Sequence, residues 1–279
     1  MDIFSDLKKL GIGNIGDVFE EENKENADTE VKKEKSPEEI EAEMLFDKSY
    51  KCIVCDKAFT VKAVRAGKAK MVATDTDLRA IYAGVDVNKY DAIVCPHCGY
   101  AALTRFFEHN TQAQRNLIRE QISASFKGLP PQQGITINYD EAFLNMKLVL
   151  ANAVVKKAKN SEKAYICLKM AWILRGKREW LKQEGKLGSD EEATLLTEEL
   201  SYIKQAYLGF SAAVSKENFP ICGMDDMTLI YIMADLARKI GETDQALRFL
   251  GEIIVSKTAK SNLKDKAREL KDIIMEERK

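Results

Sequence analysis

Residues 90–107 read YDAIVCPHCGYAALTRFF, an apolar run that ends in the cysteine pair Cys95 and Cys98. Apolar side chains at helical spacing follow, so the pattern predicts that a long helix begins directly after the pair. A strand, a Cys-x-x-Cys pair and a helix in succession are typical of redox proteins with a reactive thiol at a helix N-terminus. The same pair is also typical of one half of a zinc site.

A second pair, Cys52 and Cys55, lies upstream in KCIVCDKAF (51–59). Two such pairs separated by short strands favour a zinc ribbon, because a two-residue spacer lets both sulfurs of a pair converge on one ion. We therefore predict that Cys52, Cys55, Cys95 and Cys98 bind one structural Zn²⁺. Four thiolate ligands leave no coordination position for an activated water, so the zinc is predicted to be structural and not catalytic. The sequence also has no Gly-rich phosphate loop and no nucleophile elbow, so we predict no catalytic residue and no enzyme.

The alternative is a thiol–disulfide redox function of Cys95 and Cys98, because Cys-Pro-His-Cys is also a motif of periplasmic disulfide oxidoreductases. Three features favour the metal: no export signal, a second cysteine pair at ribbon spacing, and too few later strands for a thioredoxin fold. His97 is then a solvated residue of the turn and His109 a polar surface residue. Gly99 permits the positive φ that directs backbone N–H groups toward the sulfurs.

Composition limits the classes of function. The chain has 279 residues, 45% hydrophobic residues and a formal net charge of −1, which predicts a globular protein. No run approaches the ~18 apolar residues that a membrane helix requires, and the N-terminus has no signal-peptide pattern. We therefore expect no membrane association and a cytoplasmic location, where thiols stay reduced.

Charge is unevenly distributed along the chain. Residues 20–43 contain eleven acidic and four basic side chains, whereas residues 156–186 contain ten basic and three acidic ones. Residues 1–45 are predicted to be a disordered acidic tail with a short amphipathic motif near its start. We expect this tail to fold back onto the basic segment and to compete there with an acidic partner.

The fold class predicted is mostly α with a small β zinc ribbon. Residues 46–100 are expected to form a zinc-ribbon-like β domain, and residues 101–279 a helical domain of antiparallel hairpins. The predicted strands are 59–65, 70–74 and 89–94. The predicted helices are 102–128, 142–154, 161–184, 190–217, 226–240, 242–256 and 261–277.

The C-terminal hairpins have the spacing of tetratricopeptide repeats. Residues 226–254 place small Ala234 and Ala237 where two helices approach closely, and Ala206, Phe210 and Ala213 suit the second helix of a preceding repeat. A generic helical bundle is the alternative. Such helices typically bind a protein or peptide on their concave face.

Three further features remain without an assigned function. Thr74–Asp77 is predicted to be a turn whose Asp side chains accept hydrogen bonds from backbone amides, with a cation-binding or acid–base carboxylate pair as the alternative. Cys167 and Cys222 lack a partner base or metal motif and are predicted to be small apolar residues of the core.

Three stretches carry a resemblance to a known family: LFDKSYKCIVCDKAF (45–59), ATDTDLRAIYAGVDVNKYDAIVCPHCGYAAL (73–103) and ENFPICGMDDMTLIYIMADLARKIGETDQALRFL (217–250). They resemble an uncharacterised bacterial family known as domain of unknown function 2225, over about residues 45–279. The resemblance implies a zinc-ribbon-like head followed by tetratricopeptide-like helices, and it implies no activity.

The sequence therefore predicts a non-enzymatic, zinc-stabilised adaptor that binds a protein or peptide on its helical array. A nucleic-acid-binding zinc-ribbon protein is the first alternative, supported by the ribbon and the basic segment, although the strands lack interleaved aromatic and basic residues. A thiol redox protein is the second alternative.

Overall fold

The computed structural model describes residues 35–279. The amphipathic motif and residues 20–34 of the acidic tail lie outside this range. The prediction that the tail extends to residue 45 is wrong, because Pro37–Glu43 forms helix α1. A capping box starts this helix: the Ser36 hydroxyl accepts from the Glu39 amide at 3.3 Å, and the Glu39 carboxylate accepts from the Ser36 amide at 2.8 Å.

The strands form three antiparallel two-stranded sheets, β1–β2, β3–β4 and β5–β6. The strand bounds are Leu45–Lys51 for β1, Ala58–Val64 for β2, Met71–Thr74 for β3, Ala80–Tyr82 for β4, Ala92–Val94 for β5 and Ala101–Leu103 for β6. The predicted strands 59–65 and 70–74 are confirmed. The third prediction is confirmed only in part, since Val87–Tyr90 forms a 3₁₀ turn before β5.

The long helix predicted for residues 102–128 is confirmed only in part. Ala101–Leu103 pairs with β5 as strand β6, helix α2 begins only at Gln112 and ends at Ile118, and a π-helical segment continues it over Arg119–Ser123. All three residues of β6 are buried, so their continuous apolar pattern suits a strand covered on both faces as well as a helix. The predicted domain boundary at residue 100 consequently falls inside the β5–β6 hairpin.

The other six predicted helices are confirmed to within a few residues. Their bounds are Tyr139–Val155 for α3, Asn160–Gln183 for α4, Ser189–Val214 for α5, Asp226–Lys239 for α6, Thr243–Val255 for α7 and Ser261–Glu277 for α8. One core joins α4, α5 and α6 through fully buried Leu168, Phe210 and Leu236. A second core joins α6, α7 and α8.

Small residues lie where α6 packs on its neighbours. Ala234, Ala237 and, on α7, Ala246 are fully buried, so the helices approach closely at these positions, as the sequence predicts. The tetratricopeptide-like character of these hairpins stays a prediction.

The β5–β6 hairpin rests on the first helices of the body. Val94 and Leu103 share a buried cluster with Met146 and Val149 of α3 and Ile173 of α4. The turn with Cys95 and Cys98 is thereby fixed against the end of α3. Within residues 35–279, no helix combines the length and the apolar character needed to cross a membrane.

Candidate metal centre

The structure brings together the four cysteines that the sequence predicts as ligands. The sulfurs of Cys52, Cys55, Cys95 and Cys98 all lie within 4.8 Å of one another. The Sγ–Sγ distance is 3.6 Å for Cys52 and Cys98 and 3.7 Å for Cys55 and Cys95. Thiolates about 2.3 Å from a shared ion in a tetrahedron are about 3.8 Å apart, whereas a disulfide requires about 2.05 Å. The cluster therefore fits a metal ion.

The first cysteine pair lies in the turn between β1 and β2. The Cys52 amide donates to the Lys57 carbonyl and the Asp56 amide to the Cys52 carbonyl, each at 2.9 Å. Asp56 has a positive φ of 61°, which closes this turn. The Val54 amide lies 3.4 Å from Cys52 Sγ and points a donor at the sulfur. Such N–H···S contacts stabilise a thiolate ligand.

The second pair repeats this geometry in the turn between β5 and β6. The Cys95 amide donates to the Tyr100 carbonyl at 2.8 Å, and the Gly99 amide donates to the Cys95 carbonyl at 3.0 Å. Gly99 has a φ of 72°, as predicted. A Cβ at this position would lie 2.6 Å from the ring of Phe126. Both the conformation and the space therefore require glycine here.

The redox alternative requires a reactive thiol at a helix N-terminus, and the position of Cys95 and Cys98 argues against this arrangement. Cys95 and Cys98 lie in the turn of the β5–β6 hairpin and precede strand β6, so the pair does not lead directly into a helix. Within the described residues, the first α-helix downstream of the pair is α2, which starts at Gln112, and a short 3₁₀ helix at Thr104–Phe106 precedes it. The helix-dipole effect that lowers the thiol pKa in such redox motifs is therefore not provided at this pair.

The thiols are largely withdrawn from solvent: Cys52, Cys95 and Cys98 are buried and Cys55 is half-buried. The hydrogen bond between Cys98 and Cys52 lowers the pKa of Cys52 and raises that of Cys98. Burial raises the pKa of Cys95. Without a metal ion, the four close, buried thiols cannot all lose their protons, because their thiolates would repel one another. A divalent cation would offset this repulsion.

Three of the other candidate residues, His97, His109 and Cys167, take the structural positions that the sequence predicts, whereas Cys222 lies only at the edge of the core. His97 and His109 are exposed, and His97 Nε2 lies 3.3 Å from the carbonyl oxygen of Ala58. Cys167 is buried in α4, and burial raises its pKa to about 11. Cys222 is half-buried, and burial likewise raises its pKa to about 11. Neither thiol has the low pKa of a reactive cysteine.

A buried chain of hydrogen bonds joins the metal-binding turns to the helices. The Tyr100 hydroxyl donates to the Phe107 carbonyl at 2.6 Å and accepts from Asn110 Nδ2 at 2.6 Å. Lys156, only 2% exposed, donates to Asn110 Oδ1 at 3.0 Å and pairs with Glu162 at 2.7 Å. Sequence reasoning missed this connection, because its members are far apart in the chain and have no local motif.

The turn at Thr74–Asp77 carries a second buried cluster. Asp77 is fully buried and accepts from the Arg79 amide at 3.3 Å, as predicted for a turn. It also accepts from Arg175 at 2.8 and 3.1 Å and from Lys239 at 2.7 Å. Burial opposes ionisation of Asp77, but Lys239 and Arg175 outweigh it and lower the pKa of the carboxyl.

The ion pairs around Asp77 extend into three helices. Arg79 pairs with Asp75 at 2.6 Å, and Arg175 of α4 pairs with Glu199 of α5 at 2.7 Å. On α6, Asp235 accepts from Thr76 Oγ1 at 2.9 Å. The tip of the β3–β4 hairpin is therefore held by α4, α5 and α6. Its carboxylates lie in fixed ion pairs and do not form an open site for a ligand.

The basic segment 156–186 is also largely compensated within the protein. Six of its ten cations lie in ion pairs with acidic side chains of the described residues: Lys156, Lys169, Arg175, Lys177, Arg178 and Lys186. Lys156 and Arg175 are buried. The excess of positive charge on the surface of this segment is therefore smaller than the sequence alone suggests.

Two cysteine-pair turns meet at one point and are attached to a body of helices, so the chain has a four-cysteine cluster that is compatible with a metal site. The chain belongs to the family described as an uncharacterised protein conserved in bacteria, domain of unknown function 2225, whose sequence model matches residues 45–274. Neither a curated protein nor a solved structure matches the chain.

Proposed function

We propose that the protein is a non-enzymatic, zinc-stabilised adaptor of the cytoplasm. Cys52, Cys55, Cys95 and Cys98 bind one structural Zn²⁺, and the helical hairpins bind a protein or peptide partner. The observation that carries this proposal is the convergence of the four sulfurs at Sγ–Sγ distances of 3.6 and 3.7 Å, the spacing of a tetrahedral thiolate site.

Zinc is the metal that best suits these ligands. Four thiolates at tetrahedral spacing favour Zn²⁺ over the hard cations Mg²⁺ and Ca²⁺, which prefer oxygen ligands. The cysteine turns belong to two two-stranded sheets, β1–β2 and β5–β6, and sheets of this size are marginal in water by themselves. Metal-binding free energy would supply the stability that such a region lacks.

We infer a binding role and not a catalytic one, because the proposed metal centre has no open coordination position. Four cysteine ligands complete a tetrahedral ion and leave no position for an activated water. The helical body provides stacked antiparallel hairpins, and proteins built in this way commonly use their helices to bind other proteins. The buried connection from Tyr100 to Lys156 links the metal-binding turns to that body.

The adaptor proposal is tested by reconstitution. Proteins that copurify with the chain from its native host are purified separately, and each is mixed with the zinc-loaded chain. We expect one of them to form a stoichiometric complex in size-exclusion chromatography coupled to light scattering. Disulfide exchange catalysed by the purified protein and abolished by Cys95→Ser, with no reconstituted complex, would instead support the redox function.

A further inference from the structure

A cleft of about 760 Å³ separates α1 and β4 from the helices α3 and α4. Its walls include Ile40 of α1, Ile81 of β4, Tyr139 of α3 and Trp180 of α4. This volume lies within the range of about 300–1,000 Å³ that is usual for ligand-binding pockets. The cleft is separate from the four-cysteine cluster and from the buried carboxylate Asp77, neither of which lines it.

One wall of the cleft is a strand with a free edge. Ala80, Ile81 and Tyr82 make up β4, and all three line the cleft. Within residues 35–279, β4 pairs with β3 and with no other strand. An extended peptide can add to such an edge through main-chain hydrogen bonds while its side chains enter adjacent pockets. The shape of the site therefore fits an extended segment.

The opposite wall presents aromatic rings. Trp180 is 40% exposed, although it is a large apolar residue, and its ring centroid lies 6.1 Å from that of Tyr139. Lys186 Nζ lies 5.5 Å from the centroid of the Trp180 ring, so a cation of the chain itself already contacts this ring, and a ligand cation would take its place there. Tryptophan is also enriched among residues that dominate binding energy at interfaces.

The charge of the lining favours a cation. Carboxylates outnumber basic groups among the lining residues, which include Glu38, Glu41, Asp86, Asp140, Glu179 and Glu184 against Arg79, Lys89 and Lys177. Each of the three basic groups already pairs with an acidic side chain. Glu184 also pairs with Lys186 at 3.1 Å, so Glu38 and Asp86 are the lining carboxylates without a basic partner within residues 35–279. The lining therefore keeps an excess of negative charge, which favours a cationic ligand over an anionic one.

We propose that this cleft is the partner-binding site of the adaptor and that it takes an extended peptide segment with a lysine or arginine side chain. The segment lies along the edge of β4, and its cationic side chain approaches Trp180 and the carboxylates of the rim. This inference rests on the proposed adaptor function and adds the location of the site and the chemistry of the ligand.

The test uses the zinc-loaded full chain and a phage library of random linear peptides. We expect the selected peptides to be enriched in lysine or arginine. Trp180→Ala and Glu184→Lys should each weaken binding of a selected peptide by at least about tenfold, a loss typical of a central interface residue. Glu252→Lys makes the same charge reversal at an exposed position of α7 and should leave the affinity unchanged.

The outcomes separate this inference from the adaptor proposal. The selection of acidic or purely apolar peptides, or of none, would overturn the assignment of the cleft. Equal affinities of the wild type and both cleft variants would overturn it as well. In either case, a purified partner that still forms a complex with the Trp180→Ala variant would support the adaptor function and place its binding site outside the cleft.

Discussion

Arg175 of α4 donates hydrogen bonds from Nη2 and Nη1 to the two carboxylate oxygens of Asp77, at 2.8 and 3.1 Å, across 98 positions of sequence. Lys239 of α6 reaches the same carboxylate at 2.7 Å. Asp77 is fully buried. One side chain at the tip of the β3–β4 hairpin thus connects two helices of the body to the β part of the chain.

Asp77→Asn should destabilise the protein. The substitution removes the carboxylate charge that Arg175 and Lys239 share, while Arg175 keeps its pairs with Asp75 and Glu199 and Lys239 keeps its pair with Asp235. The expected cost is therefore that of lost hydrogen bonds to a charged group, about 1.5–3 kcal/mol. Urea unfolding of the zinc-loaded protein measures the change in the free energy of unfolding.

The matched control is Asp47→Asn, which removes the same charge from an exposed pair with Lys62. Exposed pairs contribute about 0–1 kcal/mol, so this variant should unfold close to the wild type. Equal destabilisation by the two substitutions would show that the network around Asp77 is not a main contributor to stability.

The contribution of Asp77 should depend on pH. The folded protein holds the pKa of this carboxyl below its usual value, so its stabilisation is fully present above the unfolded-state pKa of about 3.9. It is lost as the pH falls below that value toward the folded-state pKa. The difference in unfolding free energy between the wild type and Asp77→Asn should therefore be constant from pH 7 to about pH 5 and shrink below about pH 4. A difference that grows on acidification would contradict the ion-pair account.

Gly99→Ala should weaken the second cysteine-pair turn. The added Cβ would lie 2.6 Å from the Phe126 ring on a backbone with a φ of 72°. Gly67→Ala is the control, because Gly67 has a φ of 79° with no atom within 4 Å of the added Cβ. The control should cost about 1–2 kcal/mol of conformational strain, and Gly99→Ala about 1–3 kcal/mol more from overpacking.

Chemical unfolding measures the stability of the two glycine variants, and the rate of metal release to a chelator measures how tightly each variant holds the metal. Gly99→Ala should also release metal faster than Gly67→Ala, because only Gly99 lies in a cysteine-pair turn. Similar stability and similar release rates for both variants would show that the contact with Phe126 relaxes without cost.

The cysteine pairs of the cluster could be predicted from the sequence because the geometry of each pair is local. Cys52 and Cys55, like Cys95 and Cys98, lie within one turn, and the positive φ at Gly99 follows from the same short pattern. The amphipathic helices after residue 139 were predictable for the same reason. Each of these features depends on neighbouring residues and on a regular spacing.

The features that sequence reasoning missed depend on distant partners. Ala101–Leu103 has an apolar pattern that fits a helix, and only its pairing with β5 makes it a strand. The Asp77 turn was predicted as a turn, yet its partners Arg175 and Lys239 follow about 100 and 160 positions later. The sequence suggested that the basic segment 156–186 forms a basic surface. In the structure, some of its cations instead lie inside the protein, as counter-charges for carboxylates of the β3–β4 turn and of α5. No local pattern encodes these contacts.

The metal content of the purified chain tests the central claim most directly. We expect inductively coupled plasma mass spectrometry of protein purified under reducing conditions to find about one zinc per chain. Cys98→Ser should lower that value and reduce stability, whereas Cys167→Ser, which changes a buried thiol outside the cluster, should keep the zinc. A folded wild-type protein without bound metal, or equal zinc loss in both variants, would contradict the account.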